Sequence, residues 1–252
     1  MCEVGKLQFA VGTHVGLVRK NNQDAFILAP DLNLFGVADG MGGHAAGEIA
    51  SQMAGEIIIQ ELARNREQLI GPGILGLLRQ AVEKANQEIY HRGRLENQNL
   101  GMGTTVTCGY FSGDSNLLVI AHVGDSRAYR WRRGELKLLT HDHSLVYQLY
   151  QNGGISLEEA FKHPQRNILT RALGMDPAVV VDLTELTIEP DDLYLFCTDG
   201  LSGQVRDEEM LELLQTWQED NSDLPTLANR LIEEALERGG KDNITLVLVK
   251  PR

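Results

Sequence analysis

The sequence is poor in cysteine: Cys2, Cys108 and Cys197 are the three it has in 252 residues, an odd number with no ligand spacing. That excludes a disulfide framework and fits a reducing compartment. No apolar run approaches the length of a membrane span, and the first residues lack a secretory apolar region. Basic residues are outnumbered, with 23 Lys and Arg against 35 Asp and Glu, for a formal net charge of −12. Neither nucleic acid nor an anionic membrane is a natural partner for such a chain. Repeats, low-complexity tracts and long linkers are missing too. The expectation is a cytoplasmic monomer with one domain over residues 1–252.

At 42% hydrophobic the chain can bury a substantial core. Strand patterns run over Leu7–Val11, Ala25–Leu28, Leu34–Ala38, Thr104–Phe111 and Leu117–Val123, with a turn at Ser112–Ser115. A hairpin joins Ala128–Arg132 to Leu136–Leu139 across Arg133-Gly134, and strand character returns at Val179–Ile188, Leu193–Cys197 and Ile244–Val249. Helical spacing covers Ala45–Arg66, with a stripe of Ile49, Met53, Ile57 and Leu62. It covers Gly73–Arg92 as well, with Leu77, Ala81, Ala85 and Ile89, and Pro72 stands where that helix could start. Two further helices are expected near Asp207–Trp217 and Pro225–Glu237. Between Thr140 and Gly174 there is one short helix pattern, opened by a capping box at Ser156–Glu159. Runs of strands broken by helix pairs indicate an α+β layered fold, not a parallel βαβ sheet.

Four aspartates carry the functional signal. Leu34-Phe-Gly-Val-Ala-Asp39-Gly, Val119-Ile-Ala-His-Val-Gly-Asp125 and Leu193-Tyr-Leu-Phe-Cys-Thr-Asp199-Gly each end an apolar run on a carboxylate, and Asp242 stands just before the last strand. One such aspartate is a turn residue. Four beside glycine, if gathered at one edge, would repel each other unless they hold hard cations through oxygen. With no His/Cys cluster to favour zinc, Mg²⁺ or Mn²⁺ is the expectation. His141 and His143 read as packing or surface residues.

In these segments the chain resembles the PPM or 2C-type metal-dependent serine/threonine protein phosphatases in their compact bacterial form. The carriers are Arg19-Lys-Asn-Asn-Gln-Asp24, Val37-Ala-Asp-Gly-Met-Gly-Gly-His44, Gly101-Met-Gly-Thr-Thr105, Val123-Gly-Asp-Ser-Arg127, Thr140-His-Asp-His-Ser144, Cys197-Thr-Asp-Gly-Leu201 and Lys241-Asp-Asn-Ile-Thr245. The resemblance runs from about Thr13 to Val249, nearly the whole chain. The resemblance implies two antiparallel sheets packed as a sandwich flanked by helix pairs, four layers in the order αββα. It implies a phosphatase for phosphoserine and phosphothreonine in proteins, acting through a hydroxide bridging two metals and without a covalent phosphoenzyme. Two metals about 3.5–4 Å apart can stabilise both ends of an in-line displacement.

Residue by residue, the resemblance makes Asp39 the carboxylate bridging both ions and gives Gly40 a carbonyl ligand to one. Asp199 and Asp242 complete the other, and Asp24 holds metal-bound water. Asp125, with Asp199, takes a weaker third ion. Arg19 clamps the phosphate with its planar fork. Met41 stands where many eukaryotic members have a histidine acid, which leaves His44 as the candidate for that role or for packing. Gly101–Thr105 is expected to be a strand entry, and Lys20 and Arg127 to be solvated or paired with carboxylates. A flap is expected over about residues 143–174. Its basic residues Lys162, His163, Arg166 and Arg171 are either solvated or in contact with substrate.

Other phosphatase chemistries lack their residues here. Cys-x₅-Arg is absent, since Gln8, Asp114 and Gly203 stand six residues after the three cysteines, and no Asp-x-Asp triplet follows a strand. A phosphoprotein-binding module without activity would have lost a metal carboxylate, and none is missing. A hydrolase of small phosphoesters shares the cleft chemistry and stays open on sequence alone.

Overall fold

The computed structural model describes residues 2–4, 7–43, 45–69, 71, 73–95, 101–113 and 116–251. His44, Pro72 and the tip of the Ser112–Ser115 turn lie outside the described residues.

Two antiparallel sheets stack face to face. One holds, in spatial order, β1 (Cys2–Val4), β2 (Leu7–His14), β12 (Ile244–Pro251), β11 (Leu193–Cys197), β8 (Arg127–Arg132) and β9 (Glu135–Leu138). The other holds β10 (Asp182–Thr187), β7 (Leu117–Val123), β6 (Val106–Ser112), β4 (Leu34–Met41) and β3 (Asp24–Ala29), with β5 (Gly103–Thr104) against the end of β4. Both faces of each sheet are covered, which is why Leu193–Cys197 reads as an unbroken apolar run and is buried throughout.

Side chains alternate across the strands. Tyr194 and Phe196 join Phe9, Phe35, Phe111 and Val247 in the core between the sheets. Leu193, Leu195 and Cys197 face outward, onto α6 (Asp207–Glu219) and α7 (Leu224–Glu237). On the far side α1 (Ala46–Arg64) and α2 (Ile74–Leu95) cover Ile27, Leu34, Val119 and Ala121. These are the four layers αββα of the expectation.

The stripe expected on α1 is corrected. Its buried face is Ala46, Gly47, Ala50, Ser51, Ala54, Gly55, Ile58 and Leu62, so of the expected stripe Leu62 is buried while Ile49, Met53 and Ile57 are only partly so. Small residues let the helix lie close on β3 and β4, and the large ones flank that contact. On α2 the stripe of Leu77, Ala81, Ala85 and Ile89 is buried as expected.

The segment after β9 holds two helices where one was expected. α4 (Leu157–Lys162) starts with the Ser156–Glu159 capping box. α3 (Leu145–Gln151) precedes it, and its Ser144 cap accepts from Tyr147 N. Strand β10 begins at Asp182, later than the pattern from Val179 indicated. Among the described residues no helix is long and apolar enough to cross a membrane.

Candidate active site

Alternation along the strands delivers the carboxylates to one edge of the sandwich. Phe35 and Val37 face the inter-sheet core, so Asp39 is the next residue on that face. The register of β3 and β4 sets Asp24 directly opposite Asp39. From the other sheet, Tyr194 and Phe196 point inward and Thr198 follows them. Asp199 then opens the short helix α5 (Asp199–Ser202). Asp242 precedes β12, and Asp125 follows Gly124, whose φ of 114° turns the chain out of β7.

Asp39 does not end its strand, contrary to expectation. β4 runs on to Met41 because β5 takes over the pairing, Gly40 with Thr104 and Met41 with Gly103, where pairing with β3 stops. Gly40 is needed for close approach: a Cβ there would overlap the carbonyl oxygens of Gly47 and Gln23. Gly101–Thr105 is thus a strand entry as expected, and it also anchors the site. Asp39 N donates to Thr105 Oγ1 at 2.9 Å, and Thr104 Oγ1 donates to the Asp39 carbonyl at 2.9 Å. Thr105 Oγ1 also meets Ser126 Oγ at 2.7 Å, beside Asp125.

The carboxylates border a cleft of about 600 Å³ lined by Arg19, Asp39, Gly40, Asp125, Asp199 and Asp242, among others. Asp24 stands behind them, where its Oδ2 accepts from Thr198 Oγ1 at 2.9 Å. Arg19 Nη2 lies 2.7 Å from Asp242 Oδ2. Asn243 fixes this geometry. Its Oδ1 accepts from Gln23 N at 2.8 Å, and its Nδ2 donates to the carbonyls of Val15 and Asn21 at 2.8 and 2.9 Å. The loop carrying Arg19 is thereby pinned to the loop carrying Asp242. Thr104, Thr105, Thr198 and Asn243 were not singled out from the sequence, although each lies inside a quoted motif.

The electrostatics call for cations. Burial is the main reason that Asp24 is raised to about 7, with Asp199 and Asp242 adding to it and hydrogen bonds from Thr245 and Thr198 opposing it. Asp199 is raised to about 6, first by burial and then by Asp242, while a hydrogen bond with Asp39 pulls it down. Asp39 and Asp125 are pushed well above the usual carboxylate range, again by burial and then by neighbouring carboxylates. Asp24 Oδ1 and Asp199 Oδ1 are buried with no hydrogen-bond partner, so they are oxygens that a cation would satisfy. Among the described residues no three His, Cys, Asp or Glu are drawn close enough to cage an ion. Carboxylates together with carbonyls and water make an all-oxygen shell of the kind Mg²⁺ and Mn²⁺ take. The donor set fits the expected metals.

The pattern of the family described as Protein phosphatase 2C matches residues 12–237. The chain belongs to that family. Serine/threonine protein phosphatase PstP of Mycobacterium tuberculosis is 43% identical over 242 residues, which are 96% of this chain. The chain spans only 44% of that relative's length. Serine/threonine phosphatase stp of Listeria monocytogenes is 38% identical and aligns over 94% of this chain and 93% of its own. The crystal structure of the PstP catalytic domain in complex with two manganese ions superposes with a TM-score of 0.83 at 40% identity, covering 97% of each chain.

The remaining candidates of the 2C-type site fall as follows. Arg127 is paired, as expected, but with Asp142 through two hydrogen bonds of 2.9 and 2.8 Å; it also lowers the pKa of Asp125 through space. His143 is a packing residue whose Nδ1 accepts from Gly124 N at 3.0 Å, and His141 Nδ1 meets Tyr147 Oη at 2.7 Å. Arg171, in the flap segment, lines the cleft and pairs with Asp182 at 2.6 Å. The thiols of Cys108 and Cys197 are buried and pushed up to about 12, so neither is a nucleophile.

Proposed function

We propose that this chain is a Mg²⁺- or Mn²⁺-dependent phosphatase domain that hydrolyses phosphoserine and phosphothreonine in proteins. The observation that carries the reading is the convergence of Asp39, Asp125, Asp199 and Asp242 on one cleft, with Asp24 behind them and an arginine at its side. Asp39 would bridge two core ions and Gly40 would offer its carbonyl to one. Asp199 and Asp242 would hold the other, Asp24 would orient water, and Asp125 with Asp199 would take a weaker third ion. Bound there, the ions would supply a water acidified to near neutrality and charge neutralisation for the phosphoryl group.

The chain's own residues do the positioning. Thr104 and Thr105 grip Asp39 by its backbone, so the carboxylate is fixed before substrate arrives and costs no reorganisation. Thr198 binds Asp24 Oδ2, leaving Oδ1 to receive a proton or hold a water. Arg19 now spends one nitrogen on Asp242, and its remaining donors can fork onto phosphate oxygens. With the Cys108 and Cys197 thiols buried, attack by water would leave no covalent phosphoenzyme. His44 remains the candidate donor to the leaving oxygen.

Assays with phosphoserine and phosphothreonine peptides, with and without EDTA, test the reading. Activity that returns with Mn²⁺, together with a thermal midpoint raised by Mn²⁺ in the absence of substrate, is the expected result. Full activity after exhaustive chelation would overturn it.

A further inference from the structure

A second concavity, of about 830 Å³, lies beside the catalytic cleft between α4 and the turn that follows α5. Lys162, Arg166, Arg206, Arg238 and Lys241 line it, and no Asp or Glu is among its lining residues. On a chain of net charge −12 such a concentration of one sign is a local field, not an average of the surface.

Parts of that charge are already engaged. Lys162 pairs with Glu158 at 2.8 Å, and Arg238 with Glu209 and Glu234 at 2.8 and 2.7 Å. The rest is available. Arg206 and Lys241 are exposed and make no ion pair among the described residues. Arg206 is held over the Phe161 ring, 5.2 Å from its centroid, which orders its fork without neutralising it. Arg166 is anchored by the carbonyls of Phe161 and Gly203, at 3.1 and 3.0 Å, with no carboxylate partner among the described residues. Its charge is felt by Asp199 in the catalytic cleft.

Asn167 lines both concavities, so a peptide leaving the cleft over Asn167 enters the basic one. We propose that this pocket is a specificity site that binds acidic residues flanking the phosphorylated residue of the substrate chain. The inference rests on the protein phosphatase reading and adds to it a preferred substrate class: phosphopeptides with neighbouring Asp, Glu or a second phosphate. Arg206 and Lys241 bind the flank, and Arg166 links the two concavities.

Three phosphothreonine peptides test it: one with neutral flanks, one with an acidic N-terminal flank and one with an acidic C-terminal flank, alongside p-nitrophenyl phosphate. Wild type is expected to show a KM about tenfold lower for one acidic peptide than for the neutral one, a gap that closes as salt rises. Arg206→Glu should abolish that gap and Arg206→Gln should shrink it. In both variants the neutral peptide and p-nitrophenyl phosphate should keep wild-type kinetics. Equal KM for all three peptides in wild type, or an equal loss on every substrate in Arg206→Glu, overturns the specificity site alone. Turnover of p-nitrophenyl phosphate without turnover of any peptide overturns the protein phosphatase reading, and the specificity site with it.

Discussion

Removing divalent ions tests the carboxylate cleft through stability, without reference to turnover. Asp24 keeps its proton up to about 7 in the folded chain, whereas an unfolded aspartate gives it up near about 3.9. Between those values the folded state binds more protons, so the stability of metal-free protein falls as pH rises. At about 1.4 kcal/mol per tenfold change in proton affinity, an ionised Asp24 at neutral pH costs up to about 4 kcal/mol. Asp24 shares its field with Asp199 and water reaches the cleft, so about 2 kcal/mol is the working figure. For a chain of this length that moves the thermal midpoint by roughly 4–8 °C. His122 acts in the opposite sense. Burial lowers its imidazole to about 4, so its contribution grows with pH between about 4 and about 6.5. The useful measurement is therefore a difference between calorimetric midpoints of EDTA-stripped and Mn²⁺-loaded protein, taken at about pH 5 and about pH 7.5 with the ion concentration fixed. His122 cancels in that difference, and the carboxylate repulsion does not. The gap should widen at the higher pH by roughly 2–5 °C, because about a third of the window lies below pH 5. Asp24→Asn should raise the metal-free midpoint at both pH values, and by clearly more at the higher one. A gap of equal size at both pH values, or a metal-free Asp24→Asn no more stable than its parent at neutral pH, refutes the reasoning.

Asp39→Asn should cut phosphopeptide turnover by at least about a hundredfold while the protein stays folded, since the change is nearly isosteric and relieves repulsion; circular dichroism beside a steady-state assay checks both halves. Arg19→Ala should raise KM about tenfold, with Lys a poor substitute for the fork, and should move the midpoint little because its bridge to Asp242 is half exposed. Unchanged kinetics would reduce Arg19 to a partner of Asp242. Asp125→Ala should leave two Mn²⁺ in anomalous maps yet lower turnover by at least about tenfold, and loss of all ions would reassign that residue. Asn243→Ala removes three hydrogen bonds across the cleft. It should cost about 2–4 kcal/mol in denaturant melts, and a cost below about 0.5 kcal/mol would show that the two loops hold without it.

Much of the architecture could be read from apolar runs, because both sheets are covered on both faces and their strands stand out as Leu193–Cys197 does. α1 was harder to read. Hydrophobic spacing marks large side chains, and its contact with the sheet is made by alanine and glycine, which carry little signal of that kind. Asp39 reads from sequence as a strand end and is not one, since the two-residue strand β5 that prolongs β4 is too short to show a period. The helix α3 hides behind a serine cap and a single fully buried residue, Val146. The carboxylates were legible as chemistry because charge at the end of an apolar run is costly. The neutral side chains that hold them, Thr105, Thr198 and Asn243, look like any threonine or asparagine until their partners are seen. Those partners are distant: the Asn243 bonds span 220 to 228 residues.

The place of β12 in its sheet sets when the cleft can exist. It lies between β2 and β11, paired along its length with Leu7–His14, so the middle of that sheet is filled by a strand made more than two hundred residues after its neighbour. A chain emerging from the ribosome can pair Asp24 with Asp39 early, since β3 and β4 form a hairpin. It cannot bring up Asp242, or close the Arg19 loop through Asn243, until β12 has docked. Contacts of such long range form slowly. A shortened or stalled chain therefore carries half a cleft and no clasp, and the carboxylates gather only once the two halves of the sequence have met.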